Sequence, residues 1–126
     1  MLQNRSRLSI VDNSGMTRVR AFWVRAGHRQ TARVGDVRVA SVQEVTSGSS
    51  MKRGDVVRVL LVRSRGPRTT GQGRTLSFDD NAAIVVQRVA KTGRWAPVGT
   101  RMAGPVSRTL RRLGHSQVLA RADAVL

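Results

Sequence analysis

Val34-Gly35-Asp36-Val37 and Arg53-Gly54-Asp55-Val56 stand 19 positions apart and share one pattern, a glycine and an aspartate opening a Val-rich stretch. Glycine admits positive φ and aspartate can bond the turn backbone, so each segment reads as a tight corner feeding a strand. Repeated corners of this kind suit a small closed barrel, and closure leaves no free edge for Val-rich strands. Outward from these corners, Val, Leu and Ile recur in short runs bounded by Gly, Asp, Asn and Ser. That pattern predicts strands over Arg7–Val11, Arg18–Ala26, Asp36–Val45, Asp55–Arg63, Leu76–Phe78 and Ala82–Arg88. Asp12-Asn13-Ser14-Gly15 and Asp79-Asp80-Asn81 read as turns between them.

Two segments break the pattern. Residues 64–74 hold three glycines, one proline and the arginines Arg65, Arg68 and Arg74, with nothing fit for a core. Flanked by strands, this stretch predicts a basic ribbon, about residues 63–76, that projects from the barrel and reaches RNA. Further on, Pro105 follows Gly104 at a position suited to a helix start, and Val106, Leu110 and Leu113 form a stripe at helical spacing. Gly114 should stop that helix, and Arg108, Arg111 and Arg112 lie off its apolar side. Ser116–Ala122 reads as either a second short helix or a strand. The chain is thus one domain, 1–126, with a barrel over about 1–90 and a helical and loop region over about 99–126.

With 126 residues the chain fits one ordinary core. Its 23 basic residues against 7 acidic give a net charge of +16. Eleven basic and four acidic residues precede Leu61, and twelve and three follow, so the charge is spread through the fold. Such self-repulsion is best neutralised by a polyanion, and nucleic acid is the commonest. Only Lys52 and Lys91 are lysines, and arginine's planar fork suits fixed phosphate contacts. No apolar run exceeds the five residues Ala82–Val86, far short of a membrane span, so no membrane partner is expected. With no cysteine and no apolar segment behind Arg5 and Arg7, an intracellular protein is expected.

No catalytic constellation emerges, and no enzyme activity or cofactor is expected. Asp79 and Asp80 form the one acidic cluster and lack supporting carboxylates for a metal site, so a turn is the better reading. His28 and His115 are far apart in sequence and suggest no ligand pair. The aromatics are Phe22, Trp23, Phe78 and Trp95. Trp95, expected in a loop, is the best candidate for stacking on a base. With so few platforms, RNA contact should fall mainly to phosphates and shape.

Taken in order, the segments resemble the bacterial-type large-subunit ribosomal protein 14 family nearly end to end. The resemblance is carried by Met1-Leu2-Gln3, Ser6-Arg7-Leu8, Val11-Asp12-Asn13-Ser14-Gly15, Val34–Val37, Lys52–Val57, Val62-Arg63, Phe78–Ala83 and Gly99–Val106. It implies a mainly β fold, a five-stranded barrel with a projecting β-ribbon and a C-terminal region of short α-helices. It also implies a seat on large-subunit rRNA, beside large-subunit proteins 3 and 19. From there the family reaches small-subunit rRNA in an intersubunit bridge. A ribosome-silencing factor docks on the same face in the family; Thr100 and Arg101 match positions implicated in that docking, and a third, usually basic, falls on Gln117. Departures concentrate late in the chain: Thr69 and Thr70 replace basic residues of the ribbon, and Ala103 replaces an aromatic. That drift favours an organellar ribosome, mitochondrial before plastid, over a bacterial one.

The expected function is therefore a structural constituent of the large ribosomal subunit. Arg7, Arg18, Arg20, Arg53, Arg63, Arg65, Arg68, Arg74, Arg108, Arg111 and Arg112 are the expected rRNA contacts. Thr100, Arg101 and Gln117 are expected on the intersubunit face. The alternatives are a free RNA- or DNA-binding barrel that regulates, and, more remotely, a metal enzyme at Asp79 and Asp80.

Overall fold

The computed structural model describes residues 7–13, 15–22, 34–45, 52–64, 68–69, 75–76, 81–91, 93–112 and 114–125. Five strands make the barrel: β1 (Arg7–Ile10), β2 (Met16–Phe22), β3 (Val37–Val45), β4 (Val56–Arg63) and β7 (Ala82–Arg88). Neighbours pair antiparallel in the order β1-β2-β3-β4-β7, and β7 then pairs parallel with β1 through Ser9↔Ala82 and Ile10↔Ala83, which closes the cylinder. An extra strand, β8 (Trp95–Pro97), lies antiparallel on β7. Between β4 and β7 the chain makes a separate two-stranded sheet of β5 (Arg68–Thr69) and β6 (Thr75–Leu76), in the segment expected as a ribbon. The strand expected over Leu76–Phe78 thus begins one residue earlier.

The two Gly-Asp corners bracket the β3–β4 hairpin as mates about a local two-fold. Gly35 N–H donates to the Leu61 carbonyl, and Leu61 N–H to the Asp36 carbonyl; Gly54 N–H donates to the Val42 carbonyl, and Val42 N–H to the Asp55 carbonyl. In each, two residues oppose one, with glycine at φ 95° or 94°, which is the geometry of a Gly-first β-bulge. A side chain at either glycine would strain the backbone, and the bulge adds local twist that a small barrel needs. The aspartates diverge. Asp55 accepts from the Lys52 backbone N–H at 3.0 Å, whereas Asp36 lies 3.4 Å from the Arg38 guanidinium.

Alternation along β4 and β7 builds two cores. Val59, Leu61, Ala83 and Val85 point into the barrel with Leu8, Ile10, Val19, Ala40 and Val42. Leu60, Val62, Ala82, Ile84 and Val86 point outward, yet they are buried too, under Met102, Val106, Leu110, Val118 and Leu119. The unbroken apolar run Ala82–Val86 is therefore a strand covered on both faces.

That cover is the C-terminal region, and it corrects one expectation. Pro105 does not start a helix; it lies in a strand, β9 (Met102–Val106), which pairs parallel with the last strand, β10 (Ala122–Val125). The register slips by one residue within β9, around Gly104 at φ 78°, and a bulge tolerates a proline without an N–H. Val106 and Leu110 do face one core, but from a strand and from the helix α1 (Thr109–Arg112). A second helix, α2 (Ser116–Arg121), follows and runs directly into β10, so Ser116–Ala122 is a helix up to Arg121, with Ala122 opening the last strand. Gly114 N–H bonds the Arg111 carbonyl and His115 N–H the Leu110 carbonyl, the nested closure expected where glycine stops a helix. No described helix is long and apolar enough to cross a membrane.

Candidate nucleic-acid interface

Arg7, Arg18 and Arg20 come together on the outer face of β1 and β2. Arg7 sits directly opposite Arg20, and Arg18 opposite Ser9, while Leu8 and Val19 between them point inward. Like charges facing across a strand pair destabilise a sheet unless an anion lies over them. Arg18 approaches Glu44 at 3.9 Å, but both side chains are 58% exposed, so this pair adds little. Arg20 is half-buried, and its Nε has no hydrogen-bond partner. Arg53 is exposed at the second Gly-Asp corner. Arg108 and Arg111 are exposed at the start and middle of the α1 turn, and Arg112 ends that helix. Arg68 lies in β5, while Arg65 and Arg74 fall outside the described residues.

Arg63 is a correction. Grouped above with the phosphate contacts, it is only 9% exposed, and its guanidinium packs against Gly104 beneath β9. Its place at the end of β4, on the side roofed by the C-terminal region, turns it inward. Arg63 therefore holds the roof on the barrel and leaves the set of outward-facing cations.

Thr100 and Arg101 are exposed on the loop between β8 and β9, and that loop is tied down on both sides. Asn13 Nδ2 donates to Thr100 Oγ1 at 2.8 Å, and its Oδ1 accepts from Thr100 N–H at 2.8 Å and from Arg101 N–H at 3.4 Å. Arg121 Nη1 reaches over from α2 to the carbonyls of Pro97, at 3.2 Å, and Gly99, at 2.9 Å. Below the loop, Asp12 Oδ2 accepts from Val85 N–H at 3.0 Å and fixes the first turn to β7. Gln117, exposed, lies one turn before Arg121 on the same side of α2. Asn13 and Arg121 were not singled out as functional by sequence. The turn signal at 12–15 was legible, but its partner loop is 87 residues away.

Among the described residues no three His, Cys, Asp or Glu side chains gather as a metal site would require; Asp79 and Asp80 lie outside them. Burial holds the His115 imidazole below its ordinary value of 6.5, partly opposed by a hydrogen bond to the Gly35 backbone. His115, which immediately precedes α2, thus links that helix to the first Gly-Asp corner. Trp95, expected in a loop, sits instead in β8, half-buried against the outer core.

A closed barrel roofed by its own C-terminus, with arginines on its exposed faces and no gathered catalytic groups among the described residues, defines a class: a small, strongly cationic framework protein. The family model described as Ribosomal protein L14p/L23e matches residues 1–126, the whole chain. The chain belongs to that family, and it is a structural constituent of the large ribosomal subunit. The family is non-enzymatic, and membership does not favour a freely exchanging regulator.

Proposed function

We propose that the protein binds large-subunit rRNA by phosphate neutralisation while its Thr100–Arg101 loop meets the small subunit. The observation that carries the interface part is the doubly tied loop, in which Asn13 and Arg121 hold two exposed residues in a fixed pose. A contact surface that is ordered before docking loses less entropy on docking. Arg7, Arg18, Arg20, Arg53, Arg68, Arg108, Arg111 and Arg112, with Arg65 and Arg74, are the proposed rRNA contacts, and the net charge of +16 supports a polyanionic partner. Large-subunit proteins 3 and 19 are the proposed neighbours, and small-subunit rRNA the proposed partner across an intersubunit bridge. A ribosome-silencing factor is proposed on the same face, where Gln117 stands in place of a usually basic residue. The departures late in the chain favour an organellar host, mitochondrial before plastid.

The test is Thr100→Ala with Arg101→Ala, read on sucrose gradients. The expected result is large subunits at near-normal yield with fewer joined ribosomes. An equal, severe loss of assembled large subunits would refute the division between rRNA seat and interface loop.

A further inference from the structure

The Arg58 guanidinium carbon lies 5.6 Å from the centre of the Trp95 ring, and that of Arg88 lies 5.4 Å from it. Neither arginine belongs to the set assigned above. Arg58 of β4 pairs in register with Val86 of β7, and Arg88, two residues on, pairs with Trp95 of β8. The two-residue period puts all four on one face of the sheet, at the margin of the outer core. There the burial ends: Arg58 and Arg88 are exposed, while Trp95 keeps its body against the core. Arg88 is held a second time, its Nε donating to the Gly93 carbonyl at 3.2 Å.

The indole face attracts each cation, and tryptophan is the best aromatic partner for guanidinium. A guanidinium over a ring keeps in-plane N–H donors free, in the fork that matches a phosphate. A base stacking on a ring face that carries a guanidinium would have to displace that arginine. Exposed Lys91 and Arg94 in the adjoining turn extend the positive rim.

We propose that Arg58 and Arg88, held on Trp95, form a clamp for phosphates of an RNA backbone, with Trp95 as the positioning residue and not a platform for a base. This rests on the RNA-binding reading above and adds a site to it.

The experiment uses the full chain and two phosphate probes, large-subunit rRNA and long-chain inorganic polyphosphate, which has phosphates but no bases, with poly-glutamate as a phosphate-free polyanion beside them, each over a salt series. Arg58→Gln with Arg88→Gln should weaken binding to both and flatten the salt dependence by about two phosphate contacts. Trp95→Leu keeps every charge, so it should weaken both probes about fivefold by loosening the arginines, and Trp95→Phe should restore most of that. If Trp95→Leu costs affinity for rRNA but none for polyphosphate, the ring is a base platform and the proposal falls. If the Arg58 and Arg88 pair matters only for binding poly-glutamate, the rim takes an acidic peptide and the proposal likewise falls. An unaltered salt slope, with Arg108→Gln and Arg111→Gln lowering it, sinks the clamp alone. No change from either pair sinks the RNA reading with it. Should Trp95→Leu not fold, the exposed arginine pair decides the matter.

Discussion

Asn13→Ala isolates the tie between the first turn and the interface loop. It removes two hydrogen bonds of 2.8 Å and one of 3.4 Å, all exposed. Exposed bonds sit at the low end of about 0.5–1.5 kcal/mol each, because the freed Thr100 N–H and Oγ1 find water. The 3.4 Å contact adds little, so the total is about 1 kcal/mol. That lowers the melting temperature by about 4 °C for a chain of this length. The broken bonds are the loop's own, so the amides of Thr100 and Arg101 should exchange hydrogen about fivefold faster. Joining of subunits should drop toward the level of the Thr100→Ala, Arg101→Ala variant, with large subunits still assembled. Asn13→Asp keeps the acceptor for Thr100 N–H and should fall between Asn13→Ala and the unaltered chain. Hydrogen exchange by mass spectrometry on isolated protein and gradient profiles of subunits make the check. Unaltered exchange at Thr100 and Arg101 in a folded Asn13→Ala protein would refute the claim that Asn13 holds the loop.

Two other outcomes follow from the packing. Gly104→Ala places a Cβ at φ 78° against the Arg63 guanidinium, so a backbone penalty of about 1–2 kcal/mol joins the displacement of a buried polar group; about 3 kcal/mol in all is expected from urea unfolding, and less than about 1 kcal/mol would mean Arg63 is not held there. His115, whose folded pKa is lowered from 6.5, binds fewer protons in the folded state than in the unfolded state once pH falls below that value. Stability should therefore be unaffected by this group above about pH 7.5, fall as pH drops through 6.5, and level off below the folded pKa. His115→Gln should remove that limb, seen as a smaller difference between urea midpoints at pH 7.5 and 5.0, and an unaltered difference would assign the limb to other groups.

Local chemistry made the barrel strands legible. The alternation in β3 and the Gly-Asp corners act over a few residues, and the glycine φ angles of 95° and 94° are what those corners demand of the chain wherever they sit. The spread of arginine, the lack of a catalytic cluster and the resemblance to a ribosomal family are likewise properties of the chain as text. The misreadings share one cause. Val106 and Leu110 satisfy helical spacing, yet β10 arrives to pair with Met102–Val106, and pairing from 20 residues away overrides a four-residue period. Alternation at the end of β4 is silent on whether Arg63 meets water or a roof, because the roof is β9, some 40 residues on.

What the sequence by itself determined is thus the five barrel strands, their corners, the sign of the surface and the family. Tertiary structure alone decided the parallel closure of β7 on β1, the burial of Arg63, the reach of Arg121 to Pro97 and Gly99, and the seating of Arg58 and Arg88 on Trp95. The division has a physical basis. Turn and strand preferences are energies of neighbouring residues, whereas burial and side-chain partnership are energies of surfaces that exist only once distant segments have met.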